Sequence, residues 1–376
     1  MFEELLSTIG LPNLVLIIVG ISLLIVVVLL MSYFRVLVSI ANFTYPNAKF
    51  RAHGNPFIKE ENLKPLSESR NINEVYSKIR EHNYEIPKEA TEDINEVEKN
   101  LEMNTIEYIK KAYMATPNEA KPLVNAWLAK YDVKMAKRAI KAVAREKEKE
   151  EIDQKVLPVK MIDEDLKDEL MSARNVQELL GILKNTELDE VLSGKEWEDN
   201  FFELDIALDK YLFEKMRQAV MQVEAEEKSP VKYFFGKYTD ILNLKIVFRG
   251  IREDIDEEVL KDSLLPPGRE LEKWKLENMV DSSNLEEAMV ELEGTSYTEL
   301  RTEGTSMSNF DLEMNLDKKL LSIVSEILSQ NILTIGPLIK YLVAKDLELR
   351  NLKILIRGLK EGMDPERISK MMIMEE

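Results

Sequence analysis

The chain of 376 residues is long enough to bury several cores, and its 45% apolar and 32% charged residues belong to a folded protein. A net charge of −18 argues against nucleic acid as a partner, because phosphate binding needs clustered Lys and Arg. With no cysteine, disulfides, thiolate metal sites and cysteine nucleophiles are excluded.

From Leu5 to Phe34 there is no charged residue, and Leu14 to Met31 is almost wholly aliphatic. Such a stretch predicts a transmembrane helix, with the lipid bilayer as partner of residues 14–34. Glu3 and Glu4 precede it, and Arg35, Lys49 and Arg51 follow. The positive-inside rule then places the rest of the chain on the cytoplasmic side of the cell membrane. A cleaved signal peptide is the competing reading, and Ser39-Ile40-Ala41 imitates its cleavage site. The acidic start and overlong apolar core argue against it.

Phe43 to Pro65 reads as an entry segment, and residues 66–145 as helices. The run Arg145 to Glu151 reads as solvated surface. Leu264-Leu265-Pro266-Pro267-Gly268 is a clear breaker, and Gly294-Thr295-Ser296 and Gly304-Thr305-Ser306-Met307-Ser308-Asn309 predict a mobile polar loop around a short segment. The expected organisation is a membrane helix and flank at 1–40, then helical repeat domains at 41–152, 153–258 and 259–376. No sustained period-2 pattern appears, so the fold class is all-α. Ile241, Leu244, Phe248 and Ile251 share one helix face, as do Leu349, Leu352, Ile356 and Leu359. Ser229-Pro230 and Gly336-Pro337 predict an N-cap followed by Pro at the first helical position.

The first of these two helices is also the centre of an internal repeat. Asp240, Asn243, Lys245 and Arg249 recur 108 positions later as Glu348, Asn351, Lys353 and Arg357. The same step backwards gives Asp132, Lys137 and Lys141, without the Asn. Phe202–Lys210 matches Phe310–Lys318, and Arg70-Asn71-Ile72, Arg174-Asn175-Val176 and Ser283-Asn284-Leu285 form a shorter echo. Self-similarity at a fixed step marks a repeat architecture.

No phosphate-binding glycine loop, H-E-x-x-H or paired-His signature is present, and the two histidines, His53 and His82, carry no catalytic motif. No catalytic, cofactor-binding or metal-binding residue is therefore assigned. The repeated acid and base read first as structural, since one active site needs one copy. Asp240 and Arg249 lie on opposite sides of their helix. Each is expected to tie that helix to a neighbour in its own domain, with Arg249–Glu253 and Arg357–Glu361 as i,i+4 pairs. Across domains, Asp240, Arg249, Glu348 and Arg357 are the residues expected to hold the assembly together.

This signature, Asp240-x-x-Asn243-Leu244-Lys245-x-x-x-Arg249 with its copy from Glu348 to Arg357, resembles the family of central-stalk C subunits of archaeal A-type ATP synthases. The d subunit of the vacuolar ATPase is the eukaryotic relative. The resemblance covers about Tyr45 to Met371. It implies three similar helical domains arranged with pseudo-threefold symmetry as a funnel. One end would sit on the membrane ring of proteolipid subunits, and the cavity would receive the rotor shaft, built of D- and F-type subunits. It implies torque transmission for ATP synthesis coupled to proton or sodium transport, with no bond chemistry and no cofactor. The N-terminal helix lies outside that pattern and is expected to enter the central opening of the ring. The alternative is a membrane-anchored helical scaffold that binds another protein without rotation. A membrane-tethered hydrolase using carboxylates is more distant.

Overall fold

A computed structural model describes residues 2–147, 149–193, 197, 201–223, 229–303 and 308–375. Among them the fold is all-α, with one isolated parallel bridge, Lys59 to Glu375. Seven long helices carry the architecture: α1 (Phe2–His53), α2 (Ile94–Ala115), α3 (Lys121–Ala144), α4 (Phe201–Val223), α5 (Pro230–Arg252), α6 (Asn309–Gln330) and α7 (Gly336–Lys360).

The first of these does not stop at residue 40. α1 runs through the expected entry segment to His53, about 78 Å at 1.5 Å per residue. From Val15 to Val38 its apolar side chains are exposed, and this part is long and apolar enough to cross a membrane. Phe43 and Phe50 are buried, and Phe50 stacks on Tyr341 of α7 at 5.2 Å. The Asn47 amide donates to the Thr334 carbonyl at 2.9 Å. Packing of this face sustains the helix through Pro46, which forgoes one backbone hydrogen bond.

Local chemistry sets the other helix starts. Ser229 accepts from the Val231 and Lys232 amides, with Pro230 first in α5. α7 differs from expectation: Ile335 is the N-cap, Gly336 is already helical, and no side chain caps it. The preceding turn supplies the bond instead, from the Gly336 amide to the Asn331 carbonyl. The shorter echo is a set of caps. Asn71, Asn175 and Asn284 start the helices Ile72–Glu81, Val176–Leu183 and Leu285–Val290, each side chain accepting a backbone amide. Ser308 forms a capping box with Asp311 at the start of α6, while Gly304–Met307 lie outside the described residues.

The helices α2 to α7 form a closed circuit, each packing on the next and α7 packing back on α2. Ile241, Leu244 and Phe248 of α5 are buried, as are Leu349, Leu352 and Ile356 of α7. α3, α5 and α7 approach one another through their first halves. Trp127 of α3 lies 6.2 Å from Phe234 and 5.8 Å from Tyr238 of α5, ring centre to ring centre. Lys130 and Tyr131 of α3 both donate to Asp346 of α7. Beyond this pinch a cavity of about 500 Å³ opens between α3, α4 and α5, from Lys130 and Tyr238 to Lys141 and Arg249.

Candidate functional site

The repeated acids are buried, and each grips a segment other than its own helix. Asp240 accepts from the Arg269, Glu270 and Leu271 amides at 3.1, 2.9 and 3.2 Å, and from the Tyr297 hydroxyl at 3.2 Å. The gripped loop runs so close to α5 that a Cβ at Gly268 would overlap the Asp240 carboxylate and the Gly236 carbonyl. Asp132 accepts from the Lys160 and Ile162 amides at 3.2 and 2.9 Å. Burial pushes both carboxyls above the usual range, and the hydrogen bonds only partly offset this.

These amides lie 28 to 31 residues after their acid. Glu348 grips the start of the folded region instead. The Phe57 amide donates to Glu348 at 2.8 Å, and Tyr84 hydroxyl and Lys345 ammonium donate at 2.6 Å each.

The repeated Asn makes a second clasp, 22 residues on in both copies. Asn243 accepts from the Leu265 amide at 2.9 Å and donates to its carbonyl at 3.2 Å. Asn351 accepts from the Ile373 amide at 2.8 Å and donates to its carbonyl at 2.7 Å. In the first copy Met135 stands in this place: the Leu157 amide, again 22 residues on, meets its sulfur at 3.3 Å. Residues just after α1 then pair with Glu375, through Glu375 N–H to Ile58 C=O and Glu60 N–H to Glu375 C=O.

The repeated bases meet acids on the next helix of the circuit. Lys137 pairs with Asp209 at 2.7 Å and Asp205 at 3.2 Å, and Lys141 with Asp205 at 3.2 Å. Lys245 pairs with Asp317 at 2.5 Å, and Arg249 with Glu313. Lys353 pairs with Glu102 at 2.9 Å, and Arg357 with Glu98. None of these partners lies within the segment expected to form the same domain. Glu253 and Glu361, the i,i+4 neighbours, add a weaker electrostatic attraction to Arg249 and Arg357. The acids presented across the helix interface, Glu313 and Glu98, take the direct contacts of Arg249 and Arg357. The acidic partners escaped sequence reading, although Asp205 with Asp209 and Glu313 with Asp317 sit inside the matched segments Phe202–Lys210 and Phe310–Lys318.

Glu102 collects the most charge. It is buried and pairs with Lys134 at 2.6 Å, Arg138 at 3.0 Å and Lys353. Burial alone would raise its carboxyl, but Lys134, Lys353 and Arg138 outweigh that and bring it down to about 2. Burial, with Arg138 and Lys353 close by, pulls Lys134 down. A depressed carboxyl stabilises the fold above its unfolded value, 4.5, and that contribution disappears as pH falls toward 2. The window corresponds to about 3 kcal/mol. The melting temperature is therefore expected to fall more steeply between pH 4.5 and 2 in the wild type than in Glu102→Gln, measured by circular dichroism.

Among the described residues no group of three His, Asp or Glu side chains could hold a metal ion. The arrangement binds chain segments to one another: carboxylates on amides, and ion pairs between successive helices.

Residues 46–371 match the family model described as ATP synthase (C/AC39) subunit. The chain is 29% identical to the C subunit of the A-type ATP synthase of Methanocaldococcus jannaschii, over 90% of this chain and 88% of that protein. It is 26% identical to the protein of the same name from Methanothermobacter thermautotrophicus, over 92% and 91%, and 24% identical to that of Pyrococcus abyssi, over 88% and 90%.

Proposed function

The chain belongs to the ATP synthase (C/AC39) subunit family, and from that premise we propose that it is the non-catalytic socket of a rotary A-type ATP synthase. In this reading it joins the rotor shaft to the membrane ring of proteolipid subunits and passes torque between them. The observation that carries the reading is the clasp made by Asp132, Asp240 and Glu348, the last of which closes the circuit on Phe57, just after α1. Three similar domains with pseudo-threefold symmetry, at about 41–152, 153–258 and 259–376, would form a collar suited to a ring below and a shaft within.

The path of α1 supports an orientation. Beyond its apolar part, Asn42 donates to Glu119 just before α3, and Asn47 to Thr334 just before α7. The first turns of α3 and α7 thus face the bilayer. Large apolar side chains stand exposed at this end: Met114 closing α2, Met221 closing α4, and Ile332 and Leu333 between α6 and α7. We assign these tips to the proteolipid ring and α1 to its central opening, since an anchor outside the ring would obstruct rotation.

A pull-down of the full chain from detergent-solubilised membranes, with partners identified by mass spectrometry, tests this. Recovery of the proteolipid ring together with the shaft subunits is expected; recovery of neither sinks the socket reading. Deletion of residues 1–40 is expected to weaken ring attachment while leaving the clasps intact. Unchanged attachment would refute the central anchor alone.

A further inference from the structure

The Glu348 clasp is built around a caged cation. The Lys345 ammonium lies 4.4 Å from the ring centre of Tyr108, 5.3 Å from that of Tyr84 and 5.6 Å from that of Tyr341. It is 1% exposed and donates to Glu348, as does the Tyr84 hydroxyl. Rings hold an ammonium most strongly when water is kept out. A similar cage stands one repeat step earlier. Lys237 and Tyr233 precede Lys345 and Tyr341 by 108 positions. The Lys237 ammonium lies 5.8 Å from the ring centre of Tyr233 and 5.1 Å from that of Tyr297, whose hydroxyl donates to Asp240.

The two cages differ in what backs them. Tyr233 carries Arg269, from the same loop that Asp240 grips, 6.0 Å from its ring centre. Tyr341 carries Phe50 of α1 instead, and His53 of α1 lies 6.1 Å from Tyr108, ring centre to ring centre. Asn47 and Arg51 hold this end of α1 to the Thr334 and Ile332 carbonyls. α1 is also tethered to the clasp. Three residues join His53 to Phe57, whose amide is held by Glu348 and whose carbonyl is held by Asn351. His53 therefore cannot move more than about 14 Å from Phe57 while the clasp holds. A swing at Gly54, whose φ of +57° makes the bend, would lift Phe50 off Tyr341 and admit water to the Lys345–Glu348 pair. We propose that the docked end of α1 is a latch: while it lies on α7 the Glu348 clasp stays shut, and when it lifts the circuit opens at residues 57–60. The latch does not require a rotor.

Hydrogen exchange of the full chain in detergent, followed by mass spectrometry, tests the coupling. Asn47→Ala with Phe50→Ala should speed exchange at residues 57–60 and 373–375 at least tenfold. Residues 269–271, in the Asp240 clasp, should exchange as in the wild type, because α1 does not back that cage. Phe50→Leu keeps most of the volume without the ring stack and should give the same pattern at about threefold, which serves if the double variant does not fold. Coupling is reciprocal, so Glu348→Gln should in turn speed exchange across residues 43–53. Faster exchange at 43–53 alone in the Phe50 variants would overturn the latch. Equal acceleration at 57–60 and 269–271 would overturn it too, since that pattern marks a general loosening.

Discussion

Glu348→Ala is expected to destabilise the chain by about 3–5 kcal/mol, the cost of stranding a buried charge and its donors. The substitution leaves the Lys345 ammonium, itself almost fully buried, without its carboxylate. It also strips the acceptor from the Phe57 amide and the Tyr84 hydroxyl. Asp240→Ala should cost less, because its partners are neutral amides and a hydroxyl rather than an ammonium. Denaturant unfolding of the full chain in detergent gives both values. Limited proteolysis should show the Glu348→Ala chain cut first around residues 54–60, where the clasp has been lost. Equal losses for the two variants would mean that the buried Lys345 finds another partner.

The second large effect is expected at Trp127. Trp127→Ala should cost about 3–5 kcal/mol, the range for removing a buried aromatic side chain from a packed core. The indole is 1% exposed, lies against Phe234 and Tyr238, and has the Lys130 ammonium 5.0 Å from its ring centre. It fills the pinch where α3 meets α5, so the truncation loosens the junction that closes the cavity. Trp127→Phe keeps an aromatic face there and should lose much less. Thermal unfolding of the two variants separates lost volume from lost aromatic contact. A Trp127→Ala loss under about 1 kcal/mol would show that the pinch collapses and refills.

Much of this was legible along the chain, and what was not follows a physical pattern. Ser229-Pro230 fixed the start of α5, because an N-cap acts on amides two and three residues away. The face of Ile241, Leu244 and Phe248 was equally readable, since helical periodicity is local. The acid of each clasp was visible as a repeated letter, but its partner was not. Phe57 lies 291 residues from Glu348, and no local preference encodes such a contact. Residue 40 looked like the end of α1 because Pro46 and the basic residues after it are breaker and flank signals. Burial of Phe43 and Phe50 against the folded region carried the helix to His53 instead. The caps at Asn71, Asn175 and Asn284 were seen as an echo and turned out to have one shared cause.

The junction of residues 57–60 with α7 and Glu375 has a consequence for biosynthesis. Segments emerging first from the ribosome fold first, and long-range contacts form only when both partners exist. The place filled by Phe57 does not exist until α7 has been made, and Asn351 finds its partner only once Ile373 has been made. A chain that stops short of them leaves the Asn351 side chain, buried in the finished protein, without that partner and leaves residues 58–60 without the Glu375 bridge. Closure of the circuit therefore waits until residues 373–375 have been made, and a product ended before them would be an open and protease-sensitive chain.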